Sequence, residues 1–547
     1  MVSHLVALPG GDLIGHQVSL PDGRTGVVVV HRPPIAFALF DGVDEFEAID
    51  GTVDVLDSLA TLGVSENVRE IDCFGRDLTG GEPSSTSDDT SLKRAIFAPI
   101  PQVGDIALIN QPVLTGVTMM DALAPIGQGQ NMLLIGHDLS SMRRYAIDLL
   151  EAQKGKRKLI YAATRDDDEI KDMLEDAGLL QDVTIVTEDG RANKDSASKA
   201  AESTTIAASA CAMAEALARD QGADTIVIVD NIDQHKQLWD ETTRVLVDVF
   251  GAEAVVQSDR DGGASSEMRA FYSSLVQRSA QYKKSKGGGS VTLLLMTTIP
   301  KIAGDDGDIV FSVDDFADAS AKVKERIDIL VKKNIPLTAD TLRKIQIPVP
   351  SDSEGVRRLA LQHVDDLISM SDGQIWLDER LENMGRRPPM DPQRSITRVG
   401  IGADTQSRAD APAMRKIVEG LRLEISQAAS MDGADMQNNA SKKQMRKANA
   451  LLLVMHQEPG AQSRLLSESC ALMHAASKGY LDDTVDRGVV PGSQEGDELL
   501  SGLLDYVKSN APEAVAEVDE TNDIGDESFQ ALDAAIKAYF DSNEPSS

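Results

Sequence analysis

From about residue 95 the chain repeats one pattern, a short apolar run followed by a stretch of helical character. The runs are 132–135, Lys158 to Ala163, Val183 to Val186, Thr225 to Val229 and Val291 to Met296. Apolar strands alternating with helices predict a mostly parallel sheet covered by helices. The pattern stops on both sides. Residues 1–90 carry short alternating segments, notably Gly26 to Val30 and Ile35 to Phe40, set off by Pro21-Asp22-Gly23 and Asp41-Gly42, which read as hairpin turns. After residue 405 Met414, Ile417, Val418, Leu421 and Ile425 recur at helical spacing. Further helical patterns at 440–456, 462–477, 496–509 and 526–541 predict a helical bundle. The polar stretch 80–91 reads as a linker, and KKSKGGGS at 283–290 as a helix cap leading into the strand at Val291.

At 547 residues there is length for roughly three to five domains. With 54 Lys+Arg against 88 Asp+Glu, the net charge of −34 argues against a nucleic-acid backbone or an anionic membrane surface as partner. Basic or mixed-charge proteins fit better, although much of the acid serves as a solvated face. Cys73, Cys211 and Cys470 lie too far apart for a CxxC metal pattern and leave an odd count for a disulfide framework, which suits a reducing compartment. No apolar run approaches the ~18–20 residues of a membrane span, and no secretory signal pattern opens the chain. A removed organelle-targeting segment would leave no trace.

The chemistry centres on GHDLSSMR at 136–143, directly after the first apolar run. This is where a P-loop, GxxxxGK[ST], would lie between strand and helix. Such a loop needs glycines for backbone approach to phosphate, a Lys for the β/γ oxygens and a hydroxyl for Mg²⁺. Gly136 is retained. Ser141 stands at the second glycine position, Met142 at the lysine and Arg143 at the hydroxyl, with His137, Asp138, Leu139 and Ser140 between. A nucleotide-binding fold with impaired nucleotide chemistry is the expectation, and ATP or ADP with Mg²⁺ is not required. Arg143 and Arg144 offer at most weak anion binding at a helix N-terminus, and His137 reads as a loop histidine.

Local motifs extend this reading along the chain. QPVLTGVTMMDALAPIGQGQ at 111–130 resembles the segment leading into the P-loop of alpha subunits of F-type ATP synthase. ISMSDGQIWLDERLENMGRRPPMDPQRSITRVG at 368–400 resembles that family's ISITDGQI…RP…SVSRVG block without a gap. Ile71 to Gly81, Phe271 to Ala280 and Lys478 to Asp482 resemble further family motifs. The resemblance implies a multidomain chain: a small β-barrel at 1–90, a P-loop (RecA-like) α/β domain at 91–404, and a C-terminal helical domain at 405–547. Residues 312–362, rich in charge and helix formers, have no counterpart and read as an insertion. The N-terminal extension that engages the peripheral stalk is expected to be absent.

Site residues follow from the same resemblance. Asp230, ending the strand TIVIV, takes the Walker B position that orients Mg²⁺ through water; its simpler reading is a loop cap bonding backbone N–H groups. Asp166 lies near the position of the water-orienting glutamate of beta subunits, but 166–169 reads more simply as an acidic helix start. Arg398 matches the alpha-subunit arginine that reaches toward the neighbouring beta subunit's catalytic site, an arginine finger. Ser369 matches an interface position, and Arg387 a position near the alpha subunit's own nucleotide pocket. The implied role is a non-catalytic alpha-like subunit of a proton-transporting ATP synthase. It would have no independent ATPase activity, would partner beta and gamma subunits, and would attach peripherally on the mitochondrial matrix side or the plastid stromal side. The alternative is a pseudo-subunit outside the hexamer, serving assembly, regulation or scaffolding.

Overall fold

A computed structural model describes residues 2–7, 13–33, 35–40, 54–64, 68–79, 92–164, 169–188, 190, 196–251, 263–300, 316, 321–332, 335, 337, 351–400, 406–419, 421–430, 442–461 and 463–543. The 80–91 linker, the Asp41-Gly42 turn, Asp166 and most of 312–362 lie outside the described residues. Two compact units are present, one formed by Met1–Thr297 with Met370–Ser547 and the other by Thr298–Ser369.

In the larger unit, strands β1 (Val2–Ala7), β2 (His16–Ser19), β3 (Thr25–Arg32), β4 (Ile35–Phe40) and β5 (Asp54–Leu59) form an antiparallel sheet in the order β1-β4-β3-β2-β5. Val27 to Val30 and Ile35 to Phe40 are buried throughout, so these two central strands are covered on both faces. One ribbon pairs β6 (Thr61–Val64) with β8 (Leu92–Ala95), another pairs β9 (Pro112–Val113) with β10 (Ile126–Gly127), and β7 (Glu70–Ile71) adds an edge to the central sheet.

The predicted parallel sheet is present. Its strands are β11 (Asn131–Gly136), β12 (Lys158–Ala163), β13 (Val183–Val186), β14 (Asp224–Asp230), β16 (Ser290–Thr298), β17 (Gly373–Trp376) and the antiparallel β18 (Ile396–Thr397), in the order β18-β17-β11-β16-β14-β12-β13-β7. A 25-residue helix, Ser196–Asp220, is buried on nearly every face, which its Ala, Ser and Thr content permits. The hydroxyls of Ser203, Thr204 and Thr205 donate to carbonyls four residues back and so cost little to bury. The N-terminal sheet is locked on by Arg32, whose guanidinium lies 4.1 Å from the Trp239 ring centroid and donates to Thr243 Oγ1 at 2.7 Å.

KKSKGGGS differs from expectation. The preceding helix, Gly263–Val276, has already ended, and the run instead turns β15 (Ala280–Gln281) back antiparallel onto β16. The cap it supplies is tertiary: the Gly289 N–H donates to the Ala218 carbonyl in the last turn of the 25-residue helix. A Cβ on Gly287 would sit 2.3 Å from the Arg219 carbonyl oxygen, so only glycine allows that approach.

Helices Pro412–Val418, Arg422–Ser430, Lys442–Met455, Leu466–Lys478, Asp482–Asp486, Gln494–Asn510, Pro512–Thr521 and Asp526–Asn543 complete the larger unit. Their apolar faces and the central sheet share one continuous core, running from Leu134 and Ile228 through Met414 and Leu451 to Leu472 and Ile536. Thr298–Ser369 contains helix Ala321–Lys332 and most of helix Ser351–Met370, with Ile327, Val364 and Leu367 buried.

Two buried carboxyls make stability depend on pH. Asp121 accepts from the Thr115 N–H and Oγ1, both at 2.8 Å, yet burial pushes its pKa up to about 7. Burial likewise pushes Asp148, which accepts from the Gly460 N–H, up to about 7. In the unfolded chain both titrate near 4. Between those values the folded state holds the extra protons, so stability falls as pH rises from about 4 to about 7. Asp121→Asn with Asp148→Asn is expected to flatten that decline, worth about 2–4 kcal/mol per site. Melting curves from pH 5 to 8 test it, and an unchanged slope would refute it.

Candidate functional site

Strand β11 ends at Gly136, and the following helix, Leu139–Gln153, begins after only His137 and Asp138. The eight residues aligned with a P-loop therefore form a two-residue turn and a first helical turn and a half, not an open cradle. Asp138 is the N-cap, and its carboxylate accepts from the Ser140 and Ser141 N–H groups at 3.2 Å each. The helix N-terminus is thus met by an internal anion where a phosphate would bind. Met142 is fully buried, and its Sδ would lie 3.1 Å from a Cβ placed on Gly136. The thioether fills the space beneath the loop.

Arg143 completes the arrangement. Its Nε donates to Asp230 Oδ2 at 2.6 Å and its Nη1 to Glu169 Oε2 at 2.8 Å. The Tyr161 hydroxyl, on β12, donates to the same Asp230 oxygen at 2.8 Å, and burial, reinforced by that carboxylate, raises the Tyr161 phenol well above its usual range. Register places Ala163 opposite Asp230, so the parallel strands bring these groups together. Both ions of the Arg143–Asp230 pair are almost wholly buried. The expectation that Asp230 caps its loop is corrected: Arg143 and Tyr161 bind its carboxylate, and its backbone carbonyl accepts from Thr164. Weak anion binding by Arg143 is corrected for the same reason, since its charge is turned inward onto two carboxylates. Arg144 is exposed. A magnesium nucleotide does not fit these residues: a guanidinium neutralises the carboxylate that would serve the metal, and Asp138 holds the N–H groups that would serve phosphate.

His137 Nε2 lies 3.2 Å from Glu382 Oε2. Arg387 donates to the Glu382 and Arg386 carbonyls and lies 3.4 Å from Glu458, beside a cavity of about 660 Å³. Ser369 is exposed and donates to the Asp366 carbonyl in the last turn of its own helix.

Arg398 is exposed just beyond β18. Its N–H donates to the Asp372 carbonyl at 2.8 Å, and its Nη1 to the Ser371 carbonyl at 2.9 Å. Asn131 clamps Asp372 by a reciprocal pair of bonds, and Gln130 Nε2 bonds both the Asp372 carbonyl and Thr397 Oγ1. The preceding Gly129, at φ +91°, lies against the backbone of β15, where a Cβ would meet Gln281 N at 2.4 Å. Burial raises the Asp372 carboxyl, with Arg398 opposing. Because β11 and β17 are parallel, Asp372 sits beside the start of β11 and Gly136 at its end. Arg398 and the P-loop position thus lie at opposite ends of a six-residue strand, about 16–20 Å apart. In the sequence Tyr161 and Asn131 carry no functional signal, Asp138 and Glu169 read only as part of the degenerate loop and of an acidic helix start, and Gln130 and Asp372 only as residues of the two quoted motifs.

A parallel sheet with helices, flanked by antiparallel sheets and a helical region, and with a strand-turn-helix at its centre, defines a nucleotide-binding-type α/β protein. Residues 116–310 match the ATP synthase alpha/beta family, nucleotide-binding domain. Along 98% of its length the chain is 24% identical to ATP synthase subunit alpha of Acidithiobacillus ferridurans, covering 90% of that protein. The chain resembles F-type ATP synthase alpha subunits in sequence and in architecture.

Proposed function

We propose that this chain fills an alpha-type position in a proton-transporting F-type ATP synthase, hydrolyses no ATP itself, and presents Arg398 to a neighbouring beta subunit. The observation that carries this reading is the contrast between its two arginines. Arg143 is buried against Asp230 in the chain's own P-loop position. Arg398 is exposed at the far end of β11, out of reach of that loop, on a backbone clamped by Asn131 and Asp372. An exposed arginine out of reach of its own loop is placed to serve a site supplied by another chain. Exposed Ile396 beside it suits an interface.

The subunit would attach peripherally through beta and gamma partners in an organellar complex, on the matrix or stromal side. Among the described residues no helix is long and apolar enough to cross a membrane. Co-expression with beta and gamma subunits is the test, with purification through a tag on beta. This chain is expected to elute in the assembled complex at subunit stoichiometry. Recovery only as free protein, or with an immature subcomplex, would replace this reading with the assembly, regulatory or scaffold role.

A further inference from the structure

The side chain of Arg398 is exposed, yet the backbone that carries it rests on two buried carboxamides at the start of β11, Gln130 at 0% and Asn131 at 3% exposure. Gln130 Oε1 accepts from the Gly127 N–H at 2.8 Å, which fixes the amide. Its Nε2 then donates to the Asp372 carbonyl at 3.1 Å and to Thr397 Oγ1 at 2.9 Å. That carbonyl is also the acceptor of the Arg398 N–H, and Thr397 is the residue before Arg398. Asn131 holds Asp372 itself. Its Oδ1 accepts from the Asp372 N–H at 2.8 Å, and its Nδ2 donates to the Asp372 carboxylate at 2.9 Å and to Ser279 Oγ at 3.1 Å.

We propose that Gln130 and Asn131 are positioning residues for Arg398: they set where its guanidinium is offered to a neighbouring subunit and touch no nucleotide themselves. The inference rests on the reading of Arg398 as an arginine finger. Strand pairing alone leaves Arg398 poorly fixed, because β18 meets β17 at only two positions, Thr397 opposite Gly373 and Ile396 opposite Gln374. The two carboxamides supply the missing restraint. Buried amides are tolerated when bonded, and a satisfied polar network holds one geometry where apolar packing would allow several. A shift of about 1 Å at a group that acts on a transition state costs on the order of 10²-fold in rate.

The test is a double-mutant cycle on the full-length chain in a complex reconstituted with beta and gamma subunits, with incorporation verified. Gln130→Met and, independently, Asn131→Ala are expected to lower kcat and kcat/KM for ATP hydrolysis equally, by about tenfold or more. Made on top of Arg398→Ala, each is expected to lower kcat no further, since the group that it positions has gone. A residue that merely supports the fold would still slow the enzyme in that background. Two variants are used so that failure of one to assemble leaves the other to decide. Wild-type rates in the assembled variants, or losses that multiply with that of Arg398→Ala, would overturn the positioning role and leave the arginine finger standing. An unchanged rate in Arg398→Ala alone would remove the finger and this inference with it.

Discussion

Arg398→Ala in a reconstituted complex is expected to slow ATP hydrolysis at the adjacent beta site by about 10³-fold or more, the effect of losing an arginine finger. Assembly should survive. The guanidinium bond to the Ser371 carbonyl lies on an exposed side chain, and its loss costs about 1 kcal/mol at most. The backbone bond from Arg398 to Asp372 is kept in the alanine variant. Arg398→Lys should rescue little, because an ammonium lacks the planar fork that spans phosphoryl oxygens. Hydrolysis rates measured with incorporation verified decide the matter. Equal rates for wild type and Arg398→Ala would make the arginine a relic and remove the arginine-finger reading, membership of the complex being decided by the co-purification test.

Arg143→Met should destabilise the protein by about 3–5 kcal/mol, because it leaves Asp230 buried without its cation. Adding Asp230→Asn is expected to return much of that loss, since the carboxylate has then gone as well and Tyr161 keeps an acceptor. Had the pair been exposed, the change would be under about 1 kcal/mol. Urea denaturation of the two single variants and the double variant closes the cycle; strictly additive losses would show that the residues are not coupled. Nucleotide binding follows from the same contacts. The wild-type chain should bind MgATP far more weakly than a working P-loop protein. Ser141→Gly, Met142→Lys and Arg143→Thr together should regain measurable binding, and Asp138→Gly should add to it by releasing the helix N-terminus. Sub-micromolar binding by the wild-type chain, lost on changing residues 136–143, would contradict this account.

The strands were legible because burial on both faces of a sheet demands unbroken apolar runs: Lys158–Ala163 and Val183–Val186 lie where the runs place them. The C-terminal helices were legible from their spacing. Pro512–Thr521 was not, since it packs against helices on both sides of it in the chain and needs only Ala514 and Val518 fully buried. The missing lysine and hydroxyl could be read from Met142 and Arg143, because a motif is a statement about consecutive residues.

What occupies their place could not be read there. Tyr161, Glu169 and Asp230 are separated along the chain by strands and helices, and only the parallel stacking of β11, β12 and β14 brings them to one end of the sheet. The same stacking puts Arg398 at the other end, which turns an arginine in a motif into one that cannot serve its own loop. Local sequence determined each element and the chemistry missing from the loop, because periodicity and residue type act over a few neighbours. The tertiary fold decided which charges meet and which face outward, because a buried ion pair is specified by strand order and register rather than by distance along the chain.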